Sequence, residues 1–310
     1  MARLLAVAFL LPVLASVASA FGVQDPAADE KLWREAGTLF GRGLYWQAEP
    51  RFRELVRRRP RDAKVHFGLG AVLMRTDRSV GALAAFDASL ALDDRDAQTH
   101  HLRARVLEAL ERPDEAATAF ARSLELAPRD PEVLLRAGIL AARRGRAAEA
   151  RDLLDRCLAL GPDRVEALYE RAQLDFRAGE DEAARRGAER AAALDAAHAP
   201  SRYLLSRLAA KARRRDEAAR WAREYQSLQR AAEAADRARL LAAGRVALGY
   251  GALNAGRLRE ALDYLLAALE ASPGEVQARA GLDEIERRAR AAKDEALLAE
   301  LARRRPAEGK

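Results

Sequence analysis

Cysteine and histidine are scarce in this sequence. Among 310 residues there is one cysteine, Cys157, and there are four histidines. A single cysteine cannot form an intramolecular disulfide, so no disulfide framework holds the fold together. No second His or Cys stands at the spacing that a metal site requires beside any of the histidines, which are His66, His100, His101 and His198. The sequence therefore predicts neither a metal site nor a bound cofactor.

Motifs of enzyme chemistry are also missing. The chain contains no Gly-x-Ser-x-Gly sequence, which marks the nucleophile of many hydrolases. Two Gly-x-Gly fragments, Gly68–Gly70 and Gly249–Gly251, do not lie between a predicted strand and a helix, as a phosphate-binding loop would. Acidic pairs such as Asp114–Glu115 stand at the starts of predicted helices, where carboxylates favour the positive end of the helix dipole. We therefore predict that the protein is not an enzyme.

Aromatic residues make up only 5% of the sequence and β-branched residues are few, although half of all residues are apolar. Alanine and leucine therefore supply most of the predicted core. No stretch shows the alternation of a half-buried strand, which indicates an all-α fold. The formal net charge is +7, but basic and acidic residues are interleaved rather than grouped in long blocks. For that reason we expect no nucleic-acid partner.

The one long apolar run lies at the N-terminus, from Leu4 to Val17. It follows the basic residue Arg3 and precedes the small residues Ala18–Ala20, which is the order of a secretory signal peptide. We predict that residues 1–20 are cleaved after Ala20 and that the protein is exported, to the periplasm or beyond the cell in a bacterium. The mature chain would then have no membrane span. The alternative is an uncleaved anchor, for which the run falls short of about 20 residues.

A period of 34 residues organises the rest of the chain. Each period contains two amphipathic stretches joined by a turn, and equivalent positions carry equivalent residues. One column consists of alanines, namely Ala48, Ala82, Ala116, Ala150, Ala184 and Ala218. Another column stays small throughout, with Ala36, Gly70, Ala104, Gly138, Ala172 and Ser206. A fixed period of this length indicates a stacked array of helical hairpins.

These columns resemble the tetratricopeptide repeat family. Repeat 4 carries the pattern as Leu134, Ala137, Gly138, Ala141, Gly145, Ala150, Leu154, Cys157 and Pro162. The resemblance implies an all-α fold, a right-handed superhelical solenoid of helix-turn-helix repeats. It places six repeats in residues 29–232, a seventh in residues 242–274, and a degenerate repeat or C-terminal capping helices in residues 275–305. The intervening residues 233–241 lack Gly and Pro and are predicted to be a helical insertion.

In the tetratricopeptide repeat family, the first helices of the repeats line a concave groove. Seven of the chain's 17 aromatic residues (three Trp, six Tyr and eight Phe) fall on its positions. Exposed aromatics beside arginines are typical of a peptide-binding surface. The alternative is that these rings pack against adjacent helices. The predicted partner-binding residues are Trp33, Phe40, Phe67, Met74, Arg105, Arg143, Tyr169, Gln173, Phe176, Arg177, Tyr203, Arg207 and Tyr250.

The resemblance implies a non-catalytic scaffold that binds a peptide or protein partner in this groove, in envelope or secretion assembly. Two alternatives stay open at this point: an accessory subunit of an envelope enzyme, and a binder of an acidic polysaccharide through the groove arginines. Some members of the family grip a chaperone's C-terminal carboxylate with paired Lys and Asn side chains. This chain has a single asparagine, Asn254, so that clamp is missing.

The predicted cleavage can be tested on the native protein. N-terminal sequencing of the protein isolated from its source should begin at Phe21, because the small side chains before it fit a signal peptidase. An intact Met1 in the membrane fraction would contradict cleavage and favour the anchor.

Overall fold

The computed structural model of the protein describes residues 26–306, and the predicted signal peptide lies outside the described residues. All regular secondary structure in this range is helical, which confirms the all-α prediction. The helices are α1 (Pro26–Gly41), α2 (Tyr45–Arg58), α3 (Ala63–Arg75), α4 (Ser79–Leu92), α5 (Ala97–Ala109), α6 (Pro113–Leu126), α7 (Pro131–Arg143), α8 (Ala147–Leu160), α9 (Val165–Ala178), α10 (Asp181–Leu194), α11 (Ala199–Lys211), α12 (Arg215–Asn254), α13 (Leu258–Ala271), α14 (Val276–Ala292) and α15 (Glu295–Arg304).

The described chain forms two compact units, which are divided between Glu111 and Arg112. The first unit contains α1 to α5, and the second contains α6 to α15. Within each unit every helix packs against the next one along the chain. Such packing between neighbours is characteristic of helical repeats, in which each hairpin buries the apolar face of the one before it.

Within each of the two units, small side chains bring the two helices of a hairpin close together. Five alanines in the second helices have no exposed surface, namely Ala48, Ala82, Ala116, Ala150 and Ala184. Opposite them, the first helices carry the small column, whose glycines leave no room for even one extra carbon. A Cβ atom added at Gly70 would lie 2.7 Å from the ring of Phe86, and one at Gly138 would lie 2.9 Å from Cγ of Leu154. The period in the sequence is therefore a steric requirement at the helix crossing.

A repeated aspartate begins three of the first helices. The carboxylates of Asp62, Asp96 and Asp130 accept hydrogen bonds from backbone N–H groups in the first turns of α3, α5 and α7. These N–H groups have no partner within the helix, so each cap contributes about 1 kcal/mol. The column ends at Arg164, whose side chain does not cap α9.

The turn within each hairpin requires a left-handed backbone conformation at one residue. Four hairpins use glycine there, with φ between 74° and 81° at Gly43, Gly145, Gly179 and Gly256. Four other hairpins, including the one formed by α14 and α15, place a residue with a side chain in the same conformation, with φ between 56° and 58° at Asp77, Glu111, Arg213 and Lys293. A Cβ atom crowds the following carbonyl in this conformation, which costs about 1 kcal/mol. The second set of turns is therefore strained.

The helix α12 is exceptional because it spans 40 residues, from Arg215 to Asn254. It runs without interruption through the residues predicted to form the second helix of repeat 6, the insertion 233–241 and the first helix of repeat 7. Its first part packs against α11, and its last part packs against α13 and α14. Helix-favouring residues without Gly or Pro from position 215 to 243 explain why the chain does not turn back.

The alanine column can be tested by enlarging one of its members. We expect Ala150→Leu to destabilise the protein by about 1–3 kcal/mol, because a fully buried site at a helix crossing has no room for added carbons. Ala147→Leu is the matched control, since Ala147 is exposed at the start of the same helix. Thermal unfolding measures both; equal melting temperatures would contradict the assigned register.

The strained turns can be tested with a reciprocal pair of variants. Arg213→Gly should stabilise the protein by about 1 kcal/mol, because glycine adopts the left-handed conformation without strain. Gly179→Arg should destabilise it by a similar amount, although a Cβ atom there meets nothing within 4 Å. Chemical denaturation measures both shifts. A loss of stability in Arg213→Gly would show that strain is not what distinguishes these turns.

Candidate functional site

Three of the predicted groove residues meet around one cavity in the first unit. Trp33 and Phe40 of α1 and Phe67 of α3 line a cavity of about 730 Å³. A cavity of this size accommodates one or more large side chains of a ligand. Its remaining lining comes from Gly37, Phe52, Ala63, Lys64, Gly68, Ala71, Ser89, Asp93, Arg95, Asp96 and Gln98.

The helical spacing explains why these side chains converge. Trp33, Gly37 and Phe40 stand at i, i+4 and i+7 of α1 and so share one face. Gly37 supplies no side chain, and a Cβ atom added to it would meet nothing within 4 Å. The space between the two aromatic rings is therefore open, which makes Gly37 the floor of the cavity.

The rings that line the cavity are held in place by other aromatics. Trp33 packs edge to face on Phe52, with ring centroids 5.8 Å apart and an interplanar angle of 87°. Phe67 lies 6.0 Å from Phe86, centroid to centroid. Trp33, Phe40 and Phe67 are each half-buried, so part of each ring packs in the unit and part faces the cavity. The role of these rings in binding a partner stays a prediction.

A polar segment that the sequence does not predict borders the cavity. Asp93, Arg95 and Asp96 belong to the connection between α4 and α5, and Gln98 lies in the first turn of α5. The predicted groove consists of residues from first helices alone, so it omits this connection. The aspartate column at positions 62, 96 and 130 is the signal that could have found it, because a capping residue marks where each connection returns to the groove side.

A second group of predicted residues assembles in the other unit, on α9 and α11. The guanidinium carbon of Arg207 lies 4.7 Å from the ring centroid of Phe176 and 5.8 Å from that of Tyr203. The Nζ atom of Lys211 lies 5.5 Å from the centroid of Phe176. Such cation–π contacts hold both the rings and the charges in fixed positions. Tyr203 keeps 44% of its surface exposed and so remains able to contact a ligand.

The tyrosine on α9 is more enclosed. Tyr169 is half-buried against the cluster that contains Ala172 and Leu204, and its hydroxyl accepts a hydrogen bond from the amide of Gln173. Burial raises the pKa of Tyr169, while the hydrogen bond from Gln173 opposes that rise. Tyr169 therefore stays a neutral phenol at physiological pH. Its ring also meets the imidazole of His198 edge to face, 5.2 Å away.

Two of the predicted arginines share an electrostatic environment with a glutamate. Burial raises the pKa of Glu170, and the positive charges of Arg143 and Arg177 oppose this shift. Both arginines are themselves exposed. Part of their charge therefore acts on Glu170, which reduces what they offer to an acidic ligand.

The remaining predicted residues lie apart from these two groups. Met74 and Arg105 are half-buried and do not line the cavity. Tyr250 packs against the C-terminal core, and its hydroxyl donates a hydrogen bond of 3.0 Å to the carbonyl of Gln277. Burial, together with the charges of Glu284 and Asp283, raises the pKa of Tyr250 to about 12. This tyrosine is thus engaged in an internal contact.

Features of metal sites and membrane spans are absent from residues 26–306. No group of three or more His, Cys, Asp or Glu side chains in this range could hold a metal ion. No helix in the same range is long and apolar enough to cross a membrane.

Comparison with solved structures finds the same fold in several proteins. PilF of Pseudomonas aeruginosa is 23% identical, with a TM-score of 0.57, over 66% of this chain and 97% of PilF. PilW, a type IV pilus biogenesis factor, is 22% identical, with a TM-score of 0.50, over 71% of this chain and 98% of PilW. A chain of the Cut9–Hcn1 assembly is 18% identical, with a TM-score of 0.51, over 83% of this chain and 46% of that one.

No curated protein matches the sequence. The profile of the tetratricopeptide repeat, in contrast, matches residues 34–97 and 101–165. These ranges contain the first four members of the alanine column, the first four members of the small column and the three capping aspartates described above. The matched profile therefore identifies tetratricopeptide repeats in residues 34–165 of the chain.

Proposed function

We propose that the protein is a non-catalytic scaffold that binds a peptide segment of a protein partner on the groove side of its repeats. The cavity lined by Trp33, Phe40 and Phe67 is the observation that carries this proposal. An apolar cavity with a polar border is the usual arrangement for an anchoring side chain, because the ring contacts supply binding energy and the border fixes orientation.

The chemistry of the lining indicates what kind of peptide fits. The aromatic walls and the empty space over Gly37 favour a large apolar side chain. At the border, Lys64 and Gln98 can donate hydrogen bonds to peptide carbonyls, and Asp93 can accept from peptide N–H groups. The proposed ligand is therefore a peptide with an aromatic or long aliphatic anchor beside exposed backbone.

The predicted export puts the proposed partner in the cell envelope. The support is the N-terminal sequence, with its basic start, apolar run and Ala18–Ala20. One protein of the same fold, PilW, is a type IV pilus biogenesis factor, and a role in envelope or secretion assembly fits that likeness. Residues 1–25 lie outside the part of the chain that the structure describes, so this part of the proposal depends on the sequence.

An acidic polysaccharide is a second candidate ligand, and the basic group on α9 and α11 is the observation in its favour. Arg207 and Lys211 both lie against Phe176, in an arrangement that can contact sugar rings and carboxylates together. The salt dependence of binding distinguishes a polysaccharide ligand from a peptide ligand. Binding of a polyanion should weaken steeply as ionic strength rises, whereas an apolar anchor should be largely insensitive.

The cavity can be blocked without removing any of its contacts. We expect Gly37→Leu to abolish binding of peptides selected from a random library against the protein, because the new side chain occupies the open space between Trp33 and Phe40. Stability should be unchanged or rise by up to about 1 kcal/mol, since leucine favours a helix more than glycine does. Calorimetric titration and thermal unfolding measure the two effects.

Thr38→Leu is the matched control for this experiment. Thr38 is the next residue of α1, is exposed and does not line the cavity. This variant should bind the selected peptides as the unmodified protein does. Equal binding by Gly37→Leu would place the peptide site elsewhere, and steep salt dependence of ligand binding would favour the polysaccharide.

A further inference from the structure

In a stacked array, two positions of each first helix pack against the preceding repeat. They are the third and tenth positions, counted so that the small column is the eighth. In repeats 2 to 6 both positions are buried, at Val65, Thr99, Val133, Ala167 and Ser201 and at Val72, Val106, Leu140, Leu174 and Leu208. In repeat 7 the same positions are Gly244 and Gly251, which are exposed, and a Cβ atom added to either meets nothing within 4 Å. The first helix of repeat 7 therefore has no preceding hairpin against it.

The second helix of repeat 6, in turn, has no following repeat packed against it. Its residue Ala222 occupies the column of Phe52, Phe86 and Phe120, which are at most 4% exposed. Ala222 is only half-buried, and Ala219 and Arg223 beside it are exposed. Both missing contacts have one cause: α12 joins these two helices end to end, so they cannot lie side by side as neighbouring repeats do.

The two bare surfaces form a single stripe along α12. Its residues recur at intervals of three and four and so share one helix face. They are Ala219, Ala222, Gln226, Arg230, Glu233, Arg237, Leu241, Gly244, Leu248 and Gly251. Apart from Ala222, each of them is exposed. Two large apolar residues belong to the stripe: Leu241 is 54% exposed and Leu248 is 55% exposed. We call this surface the α12 stripe.

We propose that two copies of this chain pair in antiparallel orientation along the α12 stripe, each supplying the repeat neighbour that the other lacks. The two halves of the α12 stripe occupy repeat positions that contact each other between other neighbouring repeats. The two halves are therefore complementary in shape. An exchange of equivalent elements between copies is a common route to a symmetric dimer, because each new contact copies an existing intramolecular one.

Contacts between other repeats give the register of this pair. The seventh position of a first helix lies against the twenty-fifth position of the repeat before it: Nε of Arg103 is 2.6 Å from Oδ1 of Asp87, and Nε of Arg171 is 2.7 Å from Oδ1 of Asp155. In α12 these two positions are Leu248 and Arg223. Arg223 of one copy therefore lies beside Leu248 of the second copy, and the reverse contact forms at the other end.

The centre of the stripe suits a helix pair in this register. The twofold axis passes near Ala235 and Asp236, midway between Arg223 and Leu248. Glu233 of one copy then lies across from Arg237 of the second copy, and the pair recurs by symmetry. Charge is therefore complementary at the axis.

The mass of the purified protein in solution tests this proposal. Light scattering coupled to size exclusion should give twice the mass of the chain. Leu248→Arg should raise the dissociation constant of the dimer about 30-fold or more, because it places a charge at the contact with Arg223 of the second copy. Val276→Arg is the matched control: Val276 is 51% exposed but lies on α14, outside the stripe. A monomeric unmodified protein, or equal masses for the two variants, would overturn the proposal.

A cysteine pair tests the register itself. Positions 223 and 248 are about 38 Å apart along one helix, so Arg223→Cys with Leu248→Cys can be bridged by a short bismaleimide only between two copies. Cys157 is buried and burial raises the pKa of its thiol, so the added thiols react first. A covalent dimer from the double variant, and none from either single variant, is expected. A bridged monomer would mean that α12 folds back on itself, and absence of any bridge would exclude this register; either result overturns the proposal.

Discussion

The close crossing of the two helices of a hairpin, within each unit, is the constraint on which the rest of the structure depends. Alanine or glycine on both sides of the crossing lets the helix backbones approach, and the leucines and phenylalanines around it then fill the space to the next hairpin. Once the crossing is fixed, the faces of the first helix are fixed too. Trp33, Gly37 and Phe40 are directed to the groove because Ala36 between them must face the partner helix. The candidate site is thus a by-product of packing.

The sequence predicts this fold well because the steric demand of the crossing is local and repeats. A column of small residues remains visible as a period in the sequence even when the other positions of the hairpin differ between repeats. The groove face follows from the same register, which is why the sequence alone assigns Trp33, Phe40 and Phe67 to one surface. In this sense the array is easier to infer than a fold whose contacts are far apart in the chain.

Other features of the structure correspond to no periodic pattern in the sequence. The border residues Asp93 and Arg95 lie in a connection whose residues vary from repeat to repeat, so no period identifies them. The hydroxyl of Tyr250 finds its acceptor on α14, and no spacing in the sequence reveals that contact. The continuity of α12 is only partly foreseeable. Residues 233–241 favour a helix, but Gly244 inside repeat 7 is the type of residue that ends one. Tertiary contacts of α12 with α13 outweigh that local preference.

The strained turns of the hairpins affect where the array opens. Each hairpin of a repeat protein has its own stability, and opening spreads between neighbours by way of their shared interfaces. Repeat 6 combines the strained turn at Arg213 with a second helix whose residues Ala218 and Ala222 are only half-buried. Its local free energy of opening is therefore among the lowest in the second unit. Opening in the second unit would therefore involve this hairpin as well as the C-terminal hairpin, whose turn at Lys293 is strained in the same way.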